Sequence, residues 1–180
     1  SLGVTKIVTH CPHCLNTLKN EYPAFGGNYE VIHYTRLLAD LLERGKLKLA
    51  GASEKSRIAY HDSCYLGRYQ EEYETPRRVL RAMPGVTLLE ARRNKGKGFC
   101  CGAGGGRMWM EEEAGQRVNE VRVGQLLEKA PEIIGVNCPY CLTMMEDAVG
   151  SVDPGKTVRV MDLAEILAGR LDGEPDADGT

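Results

Sequence analysis

Long apolar runs are absent from this chain of 180 residues, and no apolar stretch approaches the roughly 18–20 residues that a membrane-spanning helix needs. Charge of one sign is also scarce, since a net charge of −2 creates no broad field that favours nucleic acid. The first four residues show no basic region followed by an apolar core, so we predict no secretory signal there. The length suffices to bury a core without disulfides, which suggests one domain, or one domain and a piece of another.

What the chain does have is seven cysteines, five of which form a pattern. The pattern is a single cysteine, a vicinal pair and a C-x-x-C motif, namely Cys64, Cys100-Cys101 and Cys138-Pro139-Tyr140-Cys141. Thirty-five residues lie between the single cysteine and the pair, and thirty-six between the pair and the last motif. Lone cysteines are usually small buried hydrophobes, whereas this set is typical of metal ligands in a reducing compartment.

Thiolates are soft donors, and they select iron–sulfur clusters, zinc or copper(I). Two adjacent thiolates do not easily bind one metal ion, so a vicinal pair favours a cluster of several irons over tetrahedral zinc. Zinc, redox disulfides and an inert core remain open as alternatives at this point. A glycine-rich stretch follows the pair from Gly102 to Gly106, and such a stretch lets backbone N–H groups approach the sulfurs closely.

The chain also contains an internal similarity. Residues 6–15, which contain Cys11 and Cys14, match residues 133–142, and residues 31–39 match residues 160–168. The offsets are 127 and 129 residues, which indicates a duplicated domain. We therefore expect residues 1–52 to be the C-terminal remnant of a first repeat, residues 53–171 a complete second repeat, and residues 172–180 a disordered tail. Cys11 and Cys14 would then belong to a truncated first site.

Strand and helix patterns alternate along the chain. The predicted strands are residues 7–9, 29–32, 57–60, 86–89, 133–136 and 158–161. Helices are predicted from Pro12 and Pro139 and over residues 35–44, 75–83, 107–129 and 162–170. Ala114, Val118 and Val121 are predicted to form the inward stripe of the long helix. The alternation predicts an α/β fold of Rossmann-like, mostly parallel sheet layers with helices, with cysteines just after the strands, where such folds place ligands.

The five cysteines and Gly102 resemble the cysteine-rich "CCG" family, whose pattern is C, a gap, C-C-G, a similar gap and C-P-x-C. The family includes the cysteine-rich component of heterodisulfide reductase and iron–sulfur components of glycolate, lactate and glycerol-3-phosphate oxidoreductases, and it usually carries two copies. Residues 33–38, 60–68 and 99–110 are similar to membrane-associated iron–sulfur oxidoreductases related to heterodisulfide reductase. Many of these relatives have proline where this chain has Ser63.

The resemblance implies that Cys64, Cys100, Cys101, Cys138 and Cys141 hold a [4Fe–4S] cluster, non-cubane in heterodisulfide reductase, although some copies hold zinc. It also implies that the chain is part of an oxidoreductase that passes electrons from a flavoprotein, such as electron-transfer flavoprotein, toward menaquinone or a disulfide. The relatives place membrane helices and a ferredoxin-type domain before the repeats. We therefore expect a cytoplasmic location, at the cytoplasmic face of the membrane in the full-length protein, and no nucleic-acid partner. A zinc-stabilised structural or interaction module is the alternative.

Other residues are candidates for tuning the site, although no catalytic residue is assigned. His61 and Asp62 are candidates for hydrogen bonds to the cluster or for a proton relay. Arg107 and Arg68 are candidates for offsetting its charge, with surface ion pairs as the alternative. The basic stretch 92–97 either docks an acidic partner or is a solvated loop. Residues 108–110 could shield the cluster from water, but core packing is predicted for them. His10 and His13 could complete a zinc site with Cys11 and Cys14, although a structural role is the favoured interpretation.

Overall fold

The computed structural model describes residues 3–51, 54–110, 115–153, 155 and 157–172. The predicted tail from residue 173 onward lies outside these residues. The strands are β1 (Lys6–Thr9), β2 (Glu30–His33), β3 (Ser56–Tyr60), β4 (Val86–Leu89), β5 (Ile133–Val136) and β6 (Arg159–Asp162). The α-helices are α1 (Pro12–Asn16), α2 (Tyr34–Glu43), α3 (Cys64–Gln70), α4 (Glu74–Ala82), α5 (Val118–Leu127), α6 (Pro139–Val152) and α7 (Leu163–Ala168).

Two parallel sheets organise these elements. Four strands form one sheet in the order β4-β3-β5-β6, and β1 pairs with β2 in a separate two-stranded sheet. Each pairing between these strands is parallel. The prediction of an α/β fold with parallel sheets is therefore confirmed.

Helices cover both faces of the four-stranded sheet. Ala59, Ile134 and Val136 point to one face, where they share a core with α5 and α6. Ile58, Tyr60 and Ile133 point to the other face, where they share a core with α2, α4 and α7. The alternation follows from the two-residue period of a strand. Both faces of the central strands are consequently dry, which is typical of parallel sheets.

The N-terminal segment packs directly on the larger sheet. Tyr34 and Ala39 of α2 belong to the core formed with α4 and α7, and the Tyr34 hydroxyl donates to the Asp162 carboxylate over 2.7 Å. Leu49 and Leu171 form an isolated antiparallel bridge. The order strand, C-P-x-C, helix, strand, helix occurs in both β1–α2 and β5–α7. The duplication and the domain boundaries themselves stay predictions.

Most predicted elements are present with ends shifted by a residue or two, but the helix predicted over residues 107–129 is wrong. A 3₁₀ segment covers Gly104–Trp109, and α5 begins only at Val118. Gly105, Gly106 and Gly115 adopt left-handed φ values of 67°, 77° and 81°, which a right-handed helix does not allow. Helix α3 has no counterpart among the predicted helices.

The predicted inward stripe of that helix is also wrong. The buried residues of α5 are Asn119, Arg122, Val123 and Leu126, while Val118 and Val121 are only half-buried. Ala114 lies outside the described residues.

The prediction of core packing for residues 108–110 is wrong for two of the three side chains. Trp109 is 83% exposed and Met110 is 59% exposed. Met108 does pack against the core that α5 and α6 share with the sheet. The 3₁₀ segment therefore ends with a large aromatic ring in solvent.

A buried ion-pair network fixes the loop after β3. The guanidinium of Arg77 is fully buried and donates to both Asp62 oxygens over 2.7 and 2.9 Å. It also donates to Glu90 over 2.7 and 2.9 Å. Asp62 in turn accepts the backbone N–H of Lys95 over 2.7 Å. The network therefore ties α4, the end of β3 and the loop after β4 together.

We expect Arg77→Met to lower the free energy of unfolding by about 3–5 kcal/mol, because it leaves a buried carboxylate without its partner. The matched control is Arg78→Met on the same helix, which removes an exposed ion pair with Glu43 and should cost about 0–1 kcal/mol. Urea unfolding of both variants measures the difference. Equal losses in the two variants would contradict a structural role for the network.

Candidate metal centre

The single cysteine Cys64 and the C-x-x-C motif that begins at Cys138 lie together because they follow adjacent strands. Strands β3 and β5 are neighbours, and the His61 N–H donates to the Gly135 carbonyl over 2.9 Å at their carboxyl ends. Cys64 follows β3 as the first residue of α3, and Cys138 follows β5 as the N-cap of α6. The prediction that these two motifs follow strands agrees with this geometry.

The vicinal pair reaches the site by a different route. Residues 90–99 separate Cys100 from the end of β4, so the prediction that the pair lies just after a strand is wrong. Asp62 holds this loop at Lys95, and the Arg68 guanidinium donates to the Gly98 carbonyl. These contacts hold residues 90–99 so that the vicinal pair lies beside the other cysteines at the sheet edge.

The structure brings all five predicted ligand cysteines into one continuous group. The side chains of neighbouring cysteines shift one another's pKa values, which places their sulfurs close together: Cys64 with Cys100, Cys100 with Cys101, Cys101 with Cys141 and Cys141 with Cys138. Cys101, Cys138 and Cys141 are buried, whereas Cys64 and Cys100 are half-buried. The group therefore has a dry side and an edge closer to solvent.

The thiols of this group shift one another's pKa values in opposite directions, so that two values are lowered and the other three are raised. Hydrogen bonds from Cys101 and Cys64 lower the pKa of Cys100 to about 2. Hydrogen bonds from Cys11 and Cys141 lower the pKa of Cys138 to about 3. The donor thiols shift the opposite way, and the pKa of Cys101 is raised to about 12, chiefly by its bond to Cys100. Two of the sulfurs are thus ready to ligate a cation, and the others must release protons to do so.

Backbone N–H groups also point at the sulfurs. The Gly102 N–H donates to the Cys100 sulfur over 3.3 Å, and the Ala103 N–H lies near enough to Cys101 to act against the rise in its pKa. At the start of α6, the N–H groups of Tyr140 and Cys141 lie near the Cys138 sulfur and help to lower its pKa. The expectation that backbone donors approach the sulfurs therefore agrees with this geometry, and such bonds stabilise anionic sulfur.

Buried polar atoms without a partner among the described residues surround the group. They are His61 Nε2, Ser63 Oγ, Arg122 Nη2 and both amide atoms of Asn137. His61 and Ser63 precede Cys64, and Asn137 precedes Cys138. Leaving such groups unpaired costs about 1–3 kcal/mol each. Five soft thiols with an unpartnered His61 N–H close to two of them therefore fit an anionic metal–sulfur group, and no carboxylate belongs to the described ligand cluster of His61, Cys101 and Cys141.

The other predicted candidates have separate placements. Asp62 makes its bonds to Arg77 and the Lys95 N–H, so it positions a loop. Arg107 is exposed. The His10 Nε2 atom shares a hydrogen bond of 3.0 Å with the Asp162 carboxylate, and a zinc site at the first C-P-x-C motif stays a prediction.

The first C-P-x-C motif borders the five-cysteine group. The Cys11 thiol lies beside Cys138 and helps to lower its pKa, whereas Cys14 is exposed. His13 belongs to the same motif, with Nδ1 3.8 Å from the Cys11 sulfur. Cys11 therefore contacts the complete site through Cys138, although the sequence assigns it to a truncated one.

Comparison with known proteins agrees with this site. Residues 58–146 match the family model of the cysteine-rich CCG domain, and this span includes all five cysteines. Residues 58–146 are thus a CCG domain. The resemblance inferred from the cysteine spacing is therefore confirmed, while Cys11 and Cys14 lie outside the matched span.

Three relatives extend the similarity over nearly the whole chain. A "probable iron-sulfur-binding oxidoreductase", FadF of Bacillus subtilis, is 50% identical over 92% of this chain and 23% of its own length. An "EtfAB:quinone oxidoreductase" of Syntrophomonas wolfei is 49% identical over 92% of this chain and 24% of its own length. A component of the CoB–CoM heterodisulfide reductase of Methanosarcina barkeri is 34% identical over 94% of this chain and 41% of its own length. The chain thus spans less than half the length of these curated relatives.

Within the described residues, no helix combines the length and apolar character needed to cross a membrane.

Sequence reasoning missed two buried polar residues of this CCG domain. Arg122 donates to His61 Nδ1 over 3.0 Å, and Asn137 is fully buried beside Cys138. The helical spacing of Asn119, Val123 and Leu126 places Arg122 on the same face of α5. This spacing is the sequence feature that could have predicted its burial. Asn137 carries no comparable signal, because only the strand before it fixes its burial.

We expect Gly102→Ala to reduce metal retention by the CCG domain. Gly102 has a left-handed φ of 92°, and an added Cβ would lie 3.1 Å from Val118 Cβ. The φ alone costs about 1–2 kcal/mol, and relief would pull the Gly102 N–H away from Cys100. Bound metal per chain after desalting measures the loss.

The control for this variant is Gly104→Ala, because an added Cβ there meets nothing within 4 Å and its φ is not left-handed. The control should retain its metal. Equal metal content in the two variants would show that the turn at Gly102 does not support the site.

Proposed function

We propose that this chain is the iron–sulfur electron-transfer part of a longer oxidoreductase. The observation that carries the proposal is the group of five neighbouring cysteine sulfurs, next to buried polar residues with atoms that lack a partner among the described residues. Relatives named as iron–sulfur-binding and quinone-linked oxidoreductases support it. The bound group would supply one-electron redox chemistry, while the protein holds, orients and shields it.

We infer a [4Fe–4S] cluster of the non-cubane type as the cofactor. The two sulfurs of the vicinal pair are neighbours, and each has a different second neighbour. Cys100 lies beside Cys64, and Cys101 lies beside Cys141. This arrangement supports ligation of different irons by the two neighbours, which an ordinary four-ligand site does not require. One tetrahedral zinc would use only four of the five thiols.

Electrons would enter or leave at the edge formed by Cys64 and Cys100. These two cysteines are half-buried, while the other three are buried behind α5 and α6. Phe99 precedes Cys100, and the Arg93 guanidinium lies 4.6 Å from the centre of its ring. The exposed cations at residues 92–97 border the same edge and would favour an acidic partner surface.

The donor and acceptor are proposed from the relatives. A flavoprotein would reduce the site, for example EtfAB, which appears in the name of the Syntrophomonas wolfei relative. A quinone or a disulfide would receive the electrons. The remaining length of the full protein would supply the first repeat, a ferredoxin-type domain and membrane helices. The CCG domain would lie at the cytoplasmic face of that membrane.

The experiment that tests the proposal is analysis of iron, acid-labile sulfide and zinc after anaerobic purification, with a visible spectrum of the same sample. About four irons with matching sulfide and broad visible absorption are the expected result. Magnetic spectroscopy would then distinguish a non-cubane from a cubane cluster. One zinc per chain without colour would overturn the proposal in favour of a zinc-stabilised module.

We expect Cys100→Ser and Cys138→Ser each to remove most of the bound iron, because each takes away a stabilised thiolate ligand. Cys14→Ser is the matched control, since Cys14 is exposed and outside the five-cysteine group. Iron per chain and visible absorption of the three variants measure the effect. Full iron occupancy in both ligand variants would refute the assignment of the ligands.

A further inference from the structure

His61 and Arg122 form a buried pair behind the cysteines. His61 is 1% exposed and Arg122 is fully buried. Arg122 Nε donates to His61 Nδ1 over 3.0 Å, and Arg122 Nη1 donates to the Arg93 carbonyl over 2.9 Å and to Gln125 Oε1 over 3.3 Å. A ring nitrogen of His61 and the sulfurs of Cys101 and Cys141 lie within 4.8 Å of one another.

The hydrogen bond from Arg122 determines the tautomer of His61. A guanidinium has only N–H donors, so His61 Nδ1 must act as the acceptor and carry no proton. The single proton of a neutral ring is then on Nε2. Burial and the charge of Arg122 lower the pKa of His61 to about 3, in agreement with a neutral ring. Nε2 is also the nitrogen without a partner among the described residues.

This tautomer excludes His61 as an ordinary metal ligand. A histidine that ligates a metal through Nε2 normally donates its Nδ1–H to a carboxylate or a carbonyl. In this pair Nδ1 faces a donor, and ligation through Nε2 would require an imidazolate. The His61 ring can therefore offer the sulfur site an N–H donor.

Arg122 adds a charge that makes no ion pair with a carboxylate among the described residues, although Asp62 lies near enough to act on it electrostatically. Among the described residues its hydrogen bonds go to a histidine, a carbonyl and an amide, and none goes to a carboxylate. Another fully buried arginine, Arg77, binds two carboxylates. A fully buried cation without an acidic partner is costly, and an anionic group at the cysteines would compensate it.

We propose that His61 donates its Nε2–H to the sulfurs of the bound cluster at Cys101 and Cys141, and that Arg122 locks this orientation. This inference rests on the proposed iron–sulfur function. The donor and the buried cation stabilise the more negative, reduced cluster and so raise its reduction potential. His61 and Arg122 are positioning residues and not ligands.

The test is a redox titration of the purified protein that follows visible absorption and the EPR signal. His61→Met should lower the ratio of reduced to oxidised cluster at a fixed potential about tenfold, which for one electron corresponds to about 59 mV. His61→Gln keeps an N–H near Nε2 and should restore a value close to that of the unchanged protein. Arg122→Met should lower the potential too, and the double variant should fall short of the sum of the two shifts.

The matched control is Arg170→Met, because Arg170 is also a buried arginine with an unpaired nitrogen but binds Ser56 and the Ile166 carbonyl. It should lower stability and leave the potential unchanged. An unchanged potential in His61→Met with normal iron content would overturn the inference.

A second measurement needs no variant. Pulsed EPR of protein labelled with ¹⁵N-histidine should show only the weak coupling of a hydrogen-bonded nitrogen, and a strong coupling typical of a coordinated nitrogen would overturn the inference. Zinc in place of iron would reject the proposed function itself, so the two failures are distinguishable.

Discussion

The parallel pairing of β3 with β5 is the constraint on which the site depends. Ile58 pairs with Ile133 and Tyr60 with Gly135, so the two strands end side by side. Gly135 favours this close pairing, because an added Cβ would lie only 3.1 Å from Ile58 Cγ2 and would force that side chain to shift. The residues that follow the two strands, 61–64 and 137–138, therefore meet at one edge although more than seventy residues separate them. The polar contacts around the sulfurs follow from that alignment.

Two buried arginines near this edge have different environments. Arg77 is neutralised by Asp62 and Glu90, and it holds the loop that carries the vicinal cysteines. Arg122 has no carboxylate partner among the described residues and faces the sulfur site through His61. The first arginine stabilises the fold through two ion pairs, whereas negative charge on the sulfurs would help to compensate the second. One arginine thus supports the loop at this sheet edge, and the other sets the charge beside the sulfurs at the same edge.

Much of this organisation could be predicted from residues alone. The thiol pattern identified the family, and β-branched runs located the six strands to within two residues. The failures have local physical causes. The predicted long helix does not form because Gly105, Gly106 and Gly115 adopt left-handed φ values, and glycine content alone does not reveal which glycines do so. The hydrophobicity of Trp109 predicts a core position, yet the turn that these glycines create leaves it exposed.

The sequence by itself determined the type of site, because thiol chemistry and cysteine spacing depend on residue identity. It also determined the α/β class, because strand and helix periodicities are local. Only the tertiary structure decided that Arg122 lies behind His61, that Asp62 binds Arg77, and that Cys11 borders Cys138. These relations join residues 15 to 127 positions apart, and they arise from strand order and helix packing, which local patterns do not encode.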